Sequence, residues 1–93
     1  MVDPLAILQQ RRLEEIGLYL RHLRQERCLS LRQMAQHAQI PLDYLKALEA
    51  GDLSQLPAAA ELRATIQRYG NALGLWGQDL ALTFPTELRP HRP

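Results

Sequence analysis

Two short helical patterns separated by a proline, within residues 29–51, constrain the fold more than any other feature of the chain. Ser30 precedes the first pattern and Gln33 follows three residues later, which is the spacing of a capping box at a helix N-terminus. Pro41 marks a turn, because proline disfavours helical geometry in the residue before it. The second pattern ends at Gly51, a residue type typical of helix C-termini. This segment therefore predicts two short helices joined by a tight turn.

Apolar residues recur inside both patterns at the spacing of one buried helix face, namely Ala35, Ile40, Leu45 and Leu48. Two short helices with such an interior and a tight connection are the sequence form of a helix-turn-helix, here at about residues 31–50. In DNA-binding proteins with this motif, the second helix usually enters the major groove. The sequence thus raises DNA binding as one hypothesis.

The rest of the chain also has helical periodicity. Asp3 and Pro4 are a typical helix start, an acidic N-cap followed by proline at the first helical position. A first helix is predicted by apolar residues at three- and four-residue steps: Leu13, Ile16, Leu20 and Leu23. Two interpretations stay open for Leu5 and Leu8, which either extend this helix or form a separate turn. A fourth helix is expected from Ala58 to Leu73, and a short fifth helix over 75–84. We find no strand-like alternation.

The predicted architecture is therefore an all-α, five-helix domain that contains a helix-turn-helix. Residues 1–12 are assigned to an N-terminal extension of the first helix and residues 13–84 to the helix-turn-helix domain. Residues 85–93 are expected to form a flexible basic tail, because they combine three prolines with Arg89, His91 and Arg92. The end of this tail, Arg89-Pro90-His91-Arg92, resembles the start of a basic juxtamembrane segment, which precedes a transmembrane helix.

Several single residues carry structural predictions. Cys28 stands where a glycine would normally end the first helix. Gly17 indicates close packing on the first helix, and Tyr69 is expected in the core. The sole tryptophan, Trp76, is predicted to pack the fifth helix onto the domain. Tyr44 is left open between covering the core and facing a partner.

Charge is distributed unevenly although the formal net charge is only +1. Residues 11–32 hold six arginines against three glutamates, whereas residues 43–61 hold one lysine against four acidic residues. The basic side of the domain is therefore the first helix, and the acidic side is the helix that would read bases. DNA-binding proteins normally need the opposite arrangement.

The expected surface of the third helix has little capacity for reading DNA. Base edges are read mainly by Arg, Lys, Asn and Gln. The residues expected to face outward on this helix are Pro41, Leu42, Asp43, Tyr44, Lys46 and Ala47. Asp43 would repel phosphate. For a protein partner, reversing the charge at Asp43 and Glu49 is expected to disturb binding and to leave the fold intact.

Contacts to phosphate remain an alternative for the basic first helix and the start of the second. The candidates are Arg21, Arg24, Arg32 and Gln33. The first helix of a helix-turn-helix lies across the DNA backbone, which is where such side chains would act. The alternative is that these side chains form an ordinary solvent-exposed face with no binding role.

A joint set of motifs extends over about residues 16–84. They are Ile16-Gly17; Leu29-Ser30-Leu31; Tyr44-Leu45-Lys46-Ala47-Leu48-Glu49 with Gly51-Asp52; Leu56-Pro57; and Arg68-Tyr69 with Ala72-Leu73-Gly74-Leu75. In this order the sequence resembles the cytoplasmic domain of the RodZ family of bacterial cell-shape proteins. That family belongs to the larger lambda-repressor-like, or Xre-like, group of helix-turn-helix domains, so the resemblance implies a lambda-repressor-like fold.

The resemblance implies a protein-binding role. In the RodZ family this domain normally precedes a basic segment and one transmembrane helix, and it binds the actin homologue MreB. Family contacts come largely from aromatic residues near the start of the fourth helix; the matching positions here are Glu61 and Thr65, with Arg68 further along. Neither matching residue is aromatic, so a diverged partner or a different surface of the domain stays open.

Other functional classes find little support in the sequence. There is no glycine-rich phosphate loop, no nucleophile elbow and no set of paired carboxylates, so we expect no enzymatic activity and no cofactor. His22, His37, His91 and Cys28 lack metal-ligand spacing. No window reaches the roughly 20 apolar residues of a membrane span, and no signal peptide is evident. We therefore expect a cytoplasmic domain, either stand-alone or the cytoplasmic part of a membrane-anchored protein.

Two hypotheses thus remain for the function of the chain. The first is a helix-turn-helix scaffold that binds a protein, with an MreB-like actin homologue as the partner implied by the resemblance. The second is an Xre-like transcriptional regulator that binds duplex DNA. The sequence favours the first because of the acidic and apolar third helix.

Overall fold

A computed structural model describes residues 3–87 of the chain, so Arg89, His91 and Arg92 of the predicted tail lie outside the described residues. The described part contains helices and no strand. Its elements are α1 (Pro4–Glu26), α2 (Leu31–Ala38), α3 (Leu42–Ala50), a 3-10 turn (Leu53–Gln55), α4 (Ala59–Ala72) and α5 (Gly77–Leu82). The predicted all-α, five-helix architecture is confirmed.

Local capping explains where the first two helices begin. The Asp3 side chain accepts a hydrogen bond from the Leu5 amide at 3.0 Å, with Pro4 at the first helical position. The Ser30 hydroxyl accepts from the Gln33 amide at 3.1 Å, and the Gln33 side chain accepts from the Ser30 amide at 2.8 Å. Both predicted caps are confirmed. They satisfy amide groups that have no partner inside the helix.

α1 is one continuous helix that includes most of the predicted N-terminal extension. It packs mainly along α3, and α4 packs mainly along α5. Gly17 allows the closest approach of α1 to α3, since a Cβ atom there would lie 2.1 Å from the Leu48 carbonyl oxygen. The predicted close packing at Gly17 is confirmed.

The core lies between α1, α3 and α4 and is closed by α2 and the C-terminal segment. Its most deeply buried apolar side chains are Leu13, Leu20, Met34, Leu45, Leu48, Leu62, Ile66, Leu73 and Phe84. Leu53 and Leu56 pack against this cluster from the connector between α3 and α4. Burial of these side chains is the main favourable term in folding.

Trp76 does not pack α5 onto the domain. Its side chain is 84% exposed, and α5 is held instead through buried Ala81 and the following Phe84. Arg63 on α4 donates a hydrogen bond to the Phe84 carbonyl at 2.8 Å. The prediction for Trp76 is wrong because α5 approaches α4 through Gly77, where a Cβ atom would lie 2.2 Å from the Gln67 carbonyl oxygen.

The end of α1 has glycine-like geometry without a glycine. Cys28 has φ 57°, in the left-handed region. Its amide donates to the Gln25 carbonyl at 2.9 Å, and the Leu29 amide donates to the Arg24 carbonyl at 3.2 Å. These two bonds form a Schellman motif, in which glycine is the usual residue at the left-handed position. The predicted role of Cys28 is confirmed.

We expect Cys28→Gly to stabilise the domain by about 0.5–1 kcal/mol. The left-handed conformation costs a residue with a Cβ atom about 1–2 kcal/mol, which exceeds the extra chain entropy that glycine loses on folding. Urea denaturation followed by circular dichroism measures the change. Cys28→Ala is the matched control, because it removes the thiol and keeps the Cβ atom; if it stabilised the domain as much as glycine does, backbone strain would not be the cause.

Candidate interaction surfaces

The outer surface of α3 carries few groups that read bases. Asp43 and Lys46 are exposed, and Leu42 and Tyr44 are half-buried against the core. Ala47, which was expected to face outward, is buried. The exposed part of this helix therefore offers one carboxylate and one ammonium group, with apolar side chains beside them.

A shallow groove runs beside α3 toward the 3-10 turn. We call it the α3 groove; its lining residues are Asp43, Tyr44, Lys46, Ala47, Ala50, Asp52 and Gln55. Two carboxylates and one ammonium group are among its lining groups. The half-buried Tyr44 thus does both things that were left open, since it packs against the core and also lines the groove.

A buried ion pair joins α1 to α3. Arg24 donates from Nε to Glu49 Oε2 at 2.7 Å and from Nη2 to Glu49 Oε1 at 2.9 Å. The two side chains are only 10% and 7% exposed. Arg24 Nη1 donates to the Leu29 carbonyl at 2.6 Å, which ties the end of α1 to the following loop. This two-point contact is the strong form of an Arg–carboxylate hydrogen bond.

The ion pair corrects two predictions. The guanidinium of Arg24 faces inward, so it is not a free phosphate contact. The carboxylate of Glu49 is part of the structure, so reversing its charge would damage the fold rather than test a partner surface. Hydrogen bonding to Glu49 raises the pKa of Arg24, which keeps the guanidinium charged.

Tyr69 extends the pair to α4. Its ring is fully buried, as predicted, and its hydroxyl donates to Glu49 Oε2 at 2.5 Å. Burial raises the pKa of Tyr69 well above its ordinary value, and the hydrogen bond to Glu49 raises it further. The phenol therefore stays protonated and remains a donor to the carboxylate. Three helices thus meet at one polar cluster, Arg24–Glu49–Tyr69.

The other predicted phosphate contacts lie at separate places. Arg21 lines a depression between α1 and α3, whereas Arg32 lines another beside Ile40 and Leu42. The side chain of Gln33 uses its oxygen in the capping box. The four residues therefore do not form a single phosphate-binding row.

The exposed face of α4 differs from the one inferred by resemblance. Glu61 and Arg68 are exposed, but Thr65 is fully buried and its hydroxyl donates to the Glu61 carbonyl at 3.0 Å. The prediction that Thr65 contacts a partner is therefore wrong in this fold. Ala64 and Asn71 are exposed instead, at positions that continue the stripe of Glu61 and Arg68. We call these four residues the α4 face.

Two structural features outside these surfaces bear on other functions. Among residues 3–87, no group of three or more His, Cys, Asp or Glu side chains is placed to hold a metal ion. The imidazole of His22 instead contacts a carboxylate on the same helix, with its Nε2 atom 2.9 Å from Glu26 Oε1. Within the same range, no helix is both long and apolar enough to cross a membrane.

The helix order, the tight turn between α2 and α3, in which Gln39 is left-handed, and the exposed α3 surface define a helix-turn-helix module. A family model described as a helix-turn-helix domain matches residues 19–80, and the chain belongs to this family. No curated protein and no solved structure matches the chain. Family membership establishes a module of the kind that binds DNA or protein, in a family that is typically non-enzymatic.

Proposed function

We propose that this chain is a RodZ-like helix-turn-helix interaction module that binds a protein rather than DNA. The observation that carries the proposal is the surface of α3, where Asp43 and Lys46 stand among half-buried apolar side chains. Specific readout in the major groove depends on bidentate donors and acceptors at base edges. Here the donors are the Lys46 ammonium group and the Tyr44 hydroxyl, neither of which has the paired geometry of a bidentate contact, and the negative charge of Asp43 is repelled by DNA.

The α4 face supports a protein contact of polar character. Glu61 and Arg68 present opposite charges on one exposed stripe, with the small Ala64 between them. Small residues let another chain approach closely, and charged residues at an interface rim favour correct orientation. The RodZ-like resemblance makes an MreB-like actin homologue the first partner to test, through these polar groups in place of aromatic ones.

Cosedimentation with filaments of an MreB-type actin homologue tests this proposal. We expect Arg68→Glu to weaken cosedimentation at least about tenfold, which corresponds to about 1.4 kcal/mol. Arg11→Glu is the matched control, since Arg11 is also exposed and makes no ion pair among residues 3–87. Equal loss for both variants would mean general charge attraction, and no cosedimentation of the unchanged protein would reject this partner.

Duplex DNA is the second candidate function, because Arg21, Arg32 and Lys46 are exposed and unpaired in the described part of the chain. Fluorescence anisotropy with random duplex DNA at 50 and 200 mM salt distinguishes the two candidates. Binding by several phosphate contacts falls steeply between these salt concentrations. Micromolar binding that disappears at the higher salt, and is weakened by Arg32→Gln, would replace the protein-binding proposal; we expect no binding at either.

A further inference from the structure

The depression beside the buried ion pair is a second candidate binding site. It has a volume of about 200 Å³ and is lined by Arg21, Arg24, Leu31, Lys46, Glu49 and Ala50. Its walls come from α1, α3 and the first residue of α2. The contacts of Gly17 with Leu48 and of Arg24 with Glu49 fix α1 against α3, so the depression has rigid walls.

The charge left over in this depression is positive. Both oxygens of Glu49 accept hydrogen bonds from Arg24, and one of them also accepts from Tyr69. The negative charge of Glu49 is therefore neutralised by the guanidinium of Arg24. Arg21 and Lys46 are exposed and make no ion pair within 4.0 Å among residues 3–87. Two cations from different helices thus line one concave surface without an acidic partner.

The surroundings favour a single carboxylate over a chain of phosphates. Lys46 also lines the α3 groove, where Asp43 and Asp52 are found. An extended polyphosphate crossing Lys46 would meet these two carboxylates, whose repulsion would reduce its affinity. The half-buried Leu31 and the exposed Ala50 add apolar surface next to the cations. A carboxylate side chain flanked by apolar neighbours can pair with the two cations and pack against the apolar surface of the depression.

We propose that the depression formed by Arg21, Leu31, Lys46 and Ala50 binds a Glu or Asp side chain of an acidic, apolar-flanked segment in a protein partner. This inference rests on the proposed protein-binding function and names the chemistry of the bound segment. Arg21 supplies the planar donor that fits a carboxylate, and Lys46 supplies a second positive charge. The site is distinct from the α4 face.

A nuclear magnetic resonance titration of the full chain with a capped pentapeptide that carries one glutamate between two leucines, with a serine at each end, tests the site. We expect amide shifts concentrated at Arg21, Leu31, Lys46 and Ala50, and at least fivefold weaker binding by the double variant Arg21→Gln with Lys46→Gln. The matched control is Arg11→Gln with Arg27→Gln, which removes the same charge from two exposed arginines outside the depression and is expected to bind as the unchanged protein. Thermal unfolding of each variant checks that the fold is retained.

The alternative outcomes are distinct. Equal shifts with the corresponding glutamine–leucine peptide, equal loss in both double variants, or shifts away from the depression would overturn the proposal. A short DNA duplex that shifts the same amides more tightly than the peptide would identify a phosphate site instead. If the peptide fails while filament cosedimentation still depends on Arg68, the inference fails alone; if only DNA binds, the proposed function fails as well.

Discussion

Glu49→Ala is expected to lower the free energy of unfolding by about 3–5 kcal/mol, because it leaves the buried guanidinium of Arg24 without its counter-charge. The same change removes the closer acceptor of the Tyr69 hydroxyl, which is left with the Leu20 carbonyl oxygen at 3.4 Å. Three helices lose their shared polar contact at once. Urea denaturation monitored by circular dichroism at 222 nm measures the loss.

Two further variants distinguish the loss of the Glu49 charge from nonspecific destabilisation of the fold. Glu49→Gln keeps one oxygen that can accept from Tyr69 and Arg24 Nε, but its NH2 group would face the Arg24 Nη2 donor. It therefore loses the charge and one hydrogen bond, and it is expected to cost less than the alanine change, which loses every acceptor. Lys46→Ala, on the same helix but exposed, is expected to change stability by less than about 0.5 kcal/mol. If Glu49→Ala were as mild as Lys46→Ala, the Arg24–Glu49–Tyr69 cluster would not be a stabilising feature of the fold.

Replacing both charged partners by apolar residues is a more specific test of the cluster. A buried ion pair contributes little net stability compared with well-packed apolar side chains, whereas one orphaned charge is costly. We therefore expect Arg24→Met combined with Glu49→Leu to be more stable than Glu49→Ala alone. The two substitutions would then be strongly non-additive, which is typical of residues in direct contact.

The parts of the fold that the sequence predicted depend on local interactions. The Ser30–Gln33 capping box, the helix start at Pro4 and the left-handed ends at Cys28 and Gly51 all involve residues within a few positions of each other. Such interactions can be predicted from the spacing of residues that are close together in the sequence. Together with the apolar periodicity of the helices, they placed the five helices and the turn between α2 and α3.

The candidate surfaces were harder to predict because they depend on which long-range partner each charged side chain finds. Arg24 and Glu49 are separated by 25 residues, and no periodicity marks them as a pair. Thr65 is different: its position three residues after Leu62 and four before Tyr69 places it on the buried side of α4. The apolar periodicity of α4 therefore predicts that Thr65 is buried, whereas alignment with the aromatic positions of the RodZ family places it on the exposed side.

Gly17→Ala is expected to destabilise the domain by about 2–3 kcal/mol, although alanine is the better helix former by about 1 kcal/mol. The added Cβ atom would lie 2.1 Å from the Leu48 carbonyl oxygen and 3.1 Å from its carbonyl carbon. Backbone atoms cannot rotate away as a side chain would, so α1 and α3 must separate. Separation would loosen the contact on which both Arg24–Glu49 and the depression at Arg21 and Lys46 depend.

Gly70→Ala provides a graded comparison, since a Cβ atom there would lie 3.0 Å from the Gly77 Cα atom. We expect its cost to be smaller, because a shift of a few tenths of an ångström relieves the contact. Equilibrium unfolding in urea ranks the two variants, and the peptide titration shows whether the α1–α3 depression survives in each. Gly17→Ala should weaken peptide binding and Gly70→Ala should not, since only Gly17 lies at the α1–α3 contact; the reverse order would mean that α4 and α5, rather than α1 and α3, set the shape of the site.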